Sequence, residues 1–153
     1  MPTPTPAAQL KSFLAKYTPA MRAEMQAAHS KMRKLLPGAV EMVYDNWNGL
    51  VIGFSPSERP SEAVLSLIAL PDHVTLCFLS GKRLPDPDKL LKGSGSRVRH
   101  CRLVSVRDLD TRPIRRLITL AIAQADPPFD PGVKNMLVIK SISAKQRPRR
   151  PSK

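Results

Sequence analysis

Residues 89–102 carry Lys89, Lys92, Arg97, Arg99 and Arg102 and no acid, wrapped around Gly93-Ser94-Gly95-Ser96. Successive backbone N–H groups in such a glycine-rich turn can form a concave anion nest, and flanking guanidinium groups can grip a phosphate or carboxylate with paired hydrogen bonds. Lys89, Lys92, Gly93, Ser94, Gly95, Ser96, Arg97, Arg99 and Arg102 are therefore the candidate anion-binding residues. The bland alternative is a solvated surface loop in which Gly93 ends a helical turn. The chain has no GxxxxGK followed by Ser or Thr, so nucleotide hydrolysis has no support.

A second basic patch closes the chain. Beyond Gly132 lie seven basic residues and no acid, which leaves 18 Lys+Arg against 12 Asp+Glu, a charge of +6, for everything before. Lysine and arginine release condensed counterions from phosphates, and an extended Arg147-Pro148-Arg149-Arg150-Pro151 can lie in a minor groove. Lys145, Arg147, Arg149 and Arg150 are the candidate nucleic-acid contacts, set against the bland reading of a solvated charged terminus.

Other chemistry is thinly represented. Asp72 with His73, and Glu58 with Glu62 at helical spacing, are the weak candidates for a metal, and no cofactor is expected. Hard iron ions want carboxylate oxygens, yet the segment 20–36 offers Glu24 alone against Arg22, Lys31, Arg33 and Lys34. The methionines of that segment recur at helical steps and read as adaptable core filling. Cys77 and Cys101 stand in apolar alternating stretches without CxxC spacing, which predicts two buried, reduced thiols. GxSxG, HExxH and GxGxxG are all missing, and the three histidines are scattered, so the chain reads as non-enzymatic.

The elements that must position these groups follow from punctuation and period. The 153 residues are 42% hydrophobic, enough for one core, with 16 prolines and a net charge of +13. Aromatics at 5% are too sparse for the stacking platforms of single-strand binders. No apolar run approaches the roughly 18 to 20 residues of a membrane span, and the N-terminus lacks the pattern of a secretory signal, which places the protein in the cytoplasm. Thr5-Pro6 and Thr18-Pro19 each pair an N-cap hydroxyl with a proline at the first helical position, predicting helices over 6–16 and 19–36. After Pro37-Gly38 the period drops to 2. Strands are predicted at 40–45, 50–54, 63–70, 73–79 and 99–106, the first two joined at Asn46-Trp47-Asn48-Gly49. The connection 80–98 holds one helical turn capped by Asp86, and a last helix starts near 108–111 and stops at Asp126-Pro127-Pro128.

The sum is an α+β domain over 7–126, an antiparallel sheet of about five strands with N-terminal and C-terminal helices packed on one face. Residues 127–153 form a Pro-rich connection and the basic tail, in which Met136-Leu137-Val138-Ile139 can add an edge strand and residues 147–151 run extended outside any packed core. Glu41, Asp45, Thr75 and Ser105 alternate with apolar positions and are expected on a partly solvated face, a surface open to a ligand or to a second copy. The chain is read as a monomer or homodimer with no membrane contact.

Several strings add a resemblance. Phe13-Leu14, Leu35-Leu36-Pro37, Val40-Glu41-Met42-Val43-Tyr44 with Asn48-Gly49-Leu50-Val51, and Asp72-His73-Val74-Thr75-Leu76 look like the YdhG-like family, a domain of unknown function. The likeness spans roughly residues 10–125, and the string 141–150 resembles the ending of one subgroup. Many members carry Met-Pro and a hydroxyl residue after the tyrosine of the first strand, where this chain has Asp45-Asn46-Trp47. The resemblance implies a frataxin-like α+β fold and, since some relatives are bacterial frataxin-like iron chaperones, an alternative role as an intracellular iron chaperone. The residues themselves favour a cytoplasmic binding protein for an anionic partner, either a phosphate-containing ligand or nucleic acid.

Overall fold

Both threonine–proline pairs start helices. In the computed structural model, which describes residues 3–152, Thr5 Oγ1 accepts from Ala8 N at 3.1 Å and Thr18 Oγ1 from Met21 N at 3.2 Å. They cap α1 (Pro6–Leu14) and α2 (Pro19–Leu35). Lys153, counted above in the basic tail, lies outside the described residues. Gly38 follows α2 at φ +85°, in the left-handed region, and a Cβ there would stand 1.8 Å from the Asp130 carbonyl oxygen. Only glycine allows both the turn and that approach.

The chain then runs through β1 (Val40–Asp45), β2 (Leu50–Ser55), β3 (Leu65–Ala69), β4 (Val74–Phe78) and β5 (Arg99–Leu103), and returns through α3 (Arg112–Ala123) to β6 (Met136–Ile142). The sheet has six strands in the order β5-β4-β3-β2-β1-β6. Four antiparallel pairings match the expected meander, while β6 lies parallel to β1 with a register shift at Val43/Tyr44. The five-stranded, wholly antiparallel expectation is thus corrected to a six-stranded mixed sheet. Met136-Leu137-Val138-Ile139, allowed above as an edge strand, has Leu137 and Ile139 packed against the core, and burial of those side chains favours its pairing. The helical turn expected at Asp86 does not form; the Asp86 carboxylate instead accepts from Leu90 N and Leu91 N, both at 2.9 Å, and holds a turn.

All three helices bury their apolar sides against one sheet face. Phe13, Met21, Met25 and Met32 share a core with Leu50, Ile52 and Phe54 of β2, Leu67 of β3, Leu76 of β4, and Ile114 and Leu117 of α3. The methionine stripe is core filling. Tyr17 closes one end of this core, donating to Ala69 O at 2.7 Å and accepting from Leu50 N at 3.0 Å.

Glu41 and Asp45 lie on the helix-covered face with Val43, which corrects their expected solvated placement. Both are fully buried: Glu41 is matched by Arg33 and His29 of α2, and Asp45 by Lys16 of the α1–α2 connection and Arg149 of the tail. Arg33 grips Glu41 with Nε–Oε2 at 2.8 Å and Nη2–Oε1 at 2.6 Å, His29 Nε2 lies 2.8 Å from Oε1, and Asn135 Nδ2 donates to Oε2 at 3.1 Å. Burial pushes the Glu41 carboxyl up, but the bonds from Arg33, His29 and Asn135 outweigh it and hold the group down at about 2. Among the described residues no helix is long and apolar enough to cross a membrane.

Candidate anion-binding loop and C-terminal strap

β5 is an outer strand of the sheet, and residues 89–99 fold back along it. Lys92 N donates to His100 O at 2.8 Å and His100 N to Lys92 O at 2.9 Å, closing the glycine–serine segment into a loop. Lys89 enters it at φ 53°. Arg99 turns inward: its Nη1 donates to Gly95 O at 2.6 Å and Val98 O at 2.8 Å, so this guanidinium shapes the loop. Arg97 donates through Nη2 to Ser80 Oγ at 3.2 Å, and its carbonyl accepts from Lys82 N at 3.0 Å. Gly93, Ser94, Gly95 and Ser96 are all exposed, and among the described residues their N–H groups meet no protein acceptor.

The structure therefore brings the predicted loop residues together and adds two that sequence reading missed. Lys82 and Arg83, in the 3-10 segment Gly81–Arg83, stand beside Arg97. Lys82, Arg83, Lys89, Lys92, Arg97 and Arg102 are exposed and make no ion pair among the described residues. Arg83 and Arg97 also reach a cavity of about 280 Å³ beside Ser80, but Glu62 and Asp126 share its lining. Its mixed charge suits an anion less well than the outer surface does.

The tail is a strap across the β1–β2 hairpin, where residues 147–151 were expected to run extended. Ser143 N donates to Asp45 O at 2.9 Å and Arg147 N to Trp47 O at 2.9 Å. Arg149 is buried: Nη2 reaches Asp45 Oδ1 at 2.9 Å and also Asn46 O, and Nη1 reaches Trp47 O at 3.1 Å. Lys16 Nζ, 2.7 Å from Asp45 Oδ2, completes the cluster. Burial raises the Asp45 carboxyl, and Lys16, Gln146 and Arg149 together bring it below its ordinary value. The hairpin offers carbonyl oxygens and a buried carboxylate that one guanidinium satisfies together, and this draws the tail in. Arg149 is thereby committed to the fold. Arg147 sits over the exposed Trp47 ring, 5.6 Å from its centroid, Arg150 Nε donates to Lys16 O at 3.2 Å, and Lys145 is exposed.

The phase of β1 carried a signal for this cluster: Glu41 and Asp45 alternate in step with Val43, so a core-facing Val43 carries both acids inward. Asp72 and His73 meet, with Oδ1 and Nδ1 2.7 Å apart, but no group of three or more metal-ligating side chains forms among the described residues. Glu62 pairs loosely with Arg59 at 3.9 Å and accepts from Ser57 Oγ, while Glu58 is exposed. Both thiols are buried and free, as expected. Burial pushes Cys77 up and Cys101 up to about 11, which keeps them protonated and poorly nucleophilic at neutral pH. Compared with known proteins, the chain matches no family model, no curated protein and no solved structure.

Proposed function

We propose that this chain is a non-enzymatic, cytoplasmic binding protein of the YdhG-like family whose partner is anionic, a phosphate-containing ligand or nucleic acid, contacted through residues 89–102. One observation carries the reading: Lys82, Arg83, Lys89, Lys92, Arg97 and Arg102 crowd one edge of the sheet without an ion-pair partner among the described residues. A patch in which basic residues outnumber Asp86 and Asp88 and stand unpaired attracts polyanions. The exposed N–H groups of Gly93 to Ser96 add donors that approach a phosphate without side-chain entropy. Lys145, Arg147 and Arg150 of the strap extend the basic surface at the hairpin.

The test titrates a short labelled duplex DNA, and separately ATP, into the purified protein by fluorescence anisotropy and calorimetry. Duplex affinity is expected to be weak and to fall steeply between about 50 and 200 mM salt. Replacing Lys92, Arg97 and Arg102 by serine should flatten the slope of log affinity against log salt by about 3, at roughly 0.9 for each phosphate no longer neutralised. Failure of both probes to bind at about 50 mM salt overturns the proposal. Ferrous iron bound stoichiometrically by a preparation that binds neither probe favours the iron-chaperone alternative.

A further inference from the structure

The sheet face turned away from the helices holds a cavity of about 470 Å³, at the end of the sheet where the β1–β2 hairpin meets the β3–β4 turn. Its floor is apolar, formed by Val51, Ile68 and Leu70. One wall is the hairpin, at Asn46, Asn48 and Gly49. The other carries His73, Thr75 and His100. Arg102 pairs across the strands with Thr75 and shares the open face with His100, so it adds a fixed positive charge beside that wall. Asp72, which adjoins it, is held by His73, whose hydrogen bond keeps its carboxyl below the ordinary value with Arg102 contributing.

The geometry points to a binding site for a small amphipathic anion, an apolar ring or chain bearing one carboxylate or phosphate group. The apolar body lies on Val51, Ile68 and Leu70, where burial of its surface supplies the affinity. The acidic head faces Arg102, His73 and His100, where charge-assisted hydrogen bonds orient it. An apolar floor with a few convergent polar groups on its rim is the usual design of a small-molecule site. The 470 Å³ volume also fits a ligand of that size.

The wall is held in place before any ligand arrives. Gly49 lies so close to β3 that a Cβ would be 2.5 Å from Ala69 O. From outside, Arg147 Nη1 donates to Asn48 Oδ1 at 3.3 Å, and Arg149 ties down Asn46 O and Trp47 O. A wall fixed in advance loses little freedom on binding. The C-terminal arginines thus serve the cavity without touching its contents.

This site shares only Arg102 and His100, whose backbone closes the loop, with residues 89–102, and the test keeps the two apart. The probes are 1-naphthoate and 1-naphthyl phosphate, with neutral 1-naphthalenemethanol and inorganic phosphate as controls, each followed through backbone amide shifts of the isotope-labelled full chain. Both naphthyl anions should give saturable shifts at Asn46, Val51, Ile68, Thr75 and His100. The neutral alcohol should bind about tenfold more weakly and phosphate alone should leave those amides still, as expected when burial and one charged hydrogen bond act together. Whichever anion binds tighter identifies the head group. Ile68→Asp, folded by the dispersion of its spectrum, should lose binding at least about tenfold because a buried charge would face the ligand's apolar body. The Lys92→Ser, Arg97→Ser double variant should keep it. Shifts confined to residues 89–99, equal binding of the neutral alcohol, or no saturable shift at these five amides would overturn the assignment.

Discussion

Glu41 is buried with no exposure, yet its carboxyl is held at about 2 against an ordinary 4.5. The cause is a set of donors fixed by three different segments: Arg33 and His29 one turn apart on α2, and Asn135 just ahead of β6. A carboxylate whose value is depressed by folding stabilises the native state above its unfolded value and loses that contribution as pH falls through its folded value. For Glu41 the window runs from about pH 5 down to about 2, and the contribution at neutral pH is about 3 kcal/mol. Urea unfolding measured from pH 7 to pH 3 should therefore show stability falling with acid, and Glu41→Gln should flatten that limb. Asp45, lowered in the same direction, keeps part of the slope in that variant. An acid limb as steep in Glu41→Gln as in the parent would show that the Arg33 and His29 bonds do not persist in solution.

The strap and the β1–β2 hairpin act as one element. Arg149 contributes a side chain only 2% exposed to a carboxylate that is fully buried, and Lys16 at 42% is the remaining cation. Removing one partner of a buried pair leaves the other short of compensation, and Arg149→Ala should cost about 3 kcal/mol, with faster amide exchange at Asn46 and Trp47. Lys145→Ala, on the same strap but exposed, should fall within about 0.5 kcal/mol of the parent. Equal effects of the two would mean that the strap is not held by its arginine. The contrast explains what was readable from the chain. The two helix caps, the hairpin at residues 46–49 and the turn at Pro71-Asp72 depend on neighbours in sequence, and they stand where the residue types placed them. The basic loop was legible for the same reason. Pairing of β6 with β1 joins residues nearly a hundred positions apart, and Arg149 reads as one more tail charge until Asp45 is seen beneath it. The open-face cavity draws Asn48 and His73 from two separate turns and His100 from β5, so no local pattern announces it.

At the scale of the molecule, the +13 is unevenly available. Acids are largely occupied in holding the fold: Glu24 accepts from Val106 N, Asp86 from Leu90 and Leu91, Asp108 from Val104, Asp110 from Lys31 and Arg115, and Glu41 and Asp45 are buried. What remains around residues 82–102 is an excess of unpaired cations over Asp86, which is engaged by backbone N–H groups, and the exposed Asp88, so position should govern polyanion binding more than the total does. Two charge-matched variants separate these effects. Lys92→Ser with Arg97→Ser removes two charges from the β5 edge, whereas Lys11→Ser with Lys134→Ser removes two from the opposite side, where α1 packs on β6 and Lys134 leads into it. All four residues are exposed, so neither change disturbs the core. Since a surface charge beyond about a Debye length of 8 Å at physiological salt contributes little, the loop pair should flatten the duplex salt slope by about 2 while the β6-side pair leaves it nearly unchanged. Equal flattening by both pairs would mean that the protein holds polyanions through its overall charge, and the loop would then have no privileged place in binding.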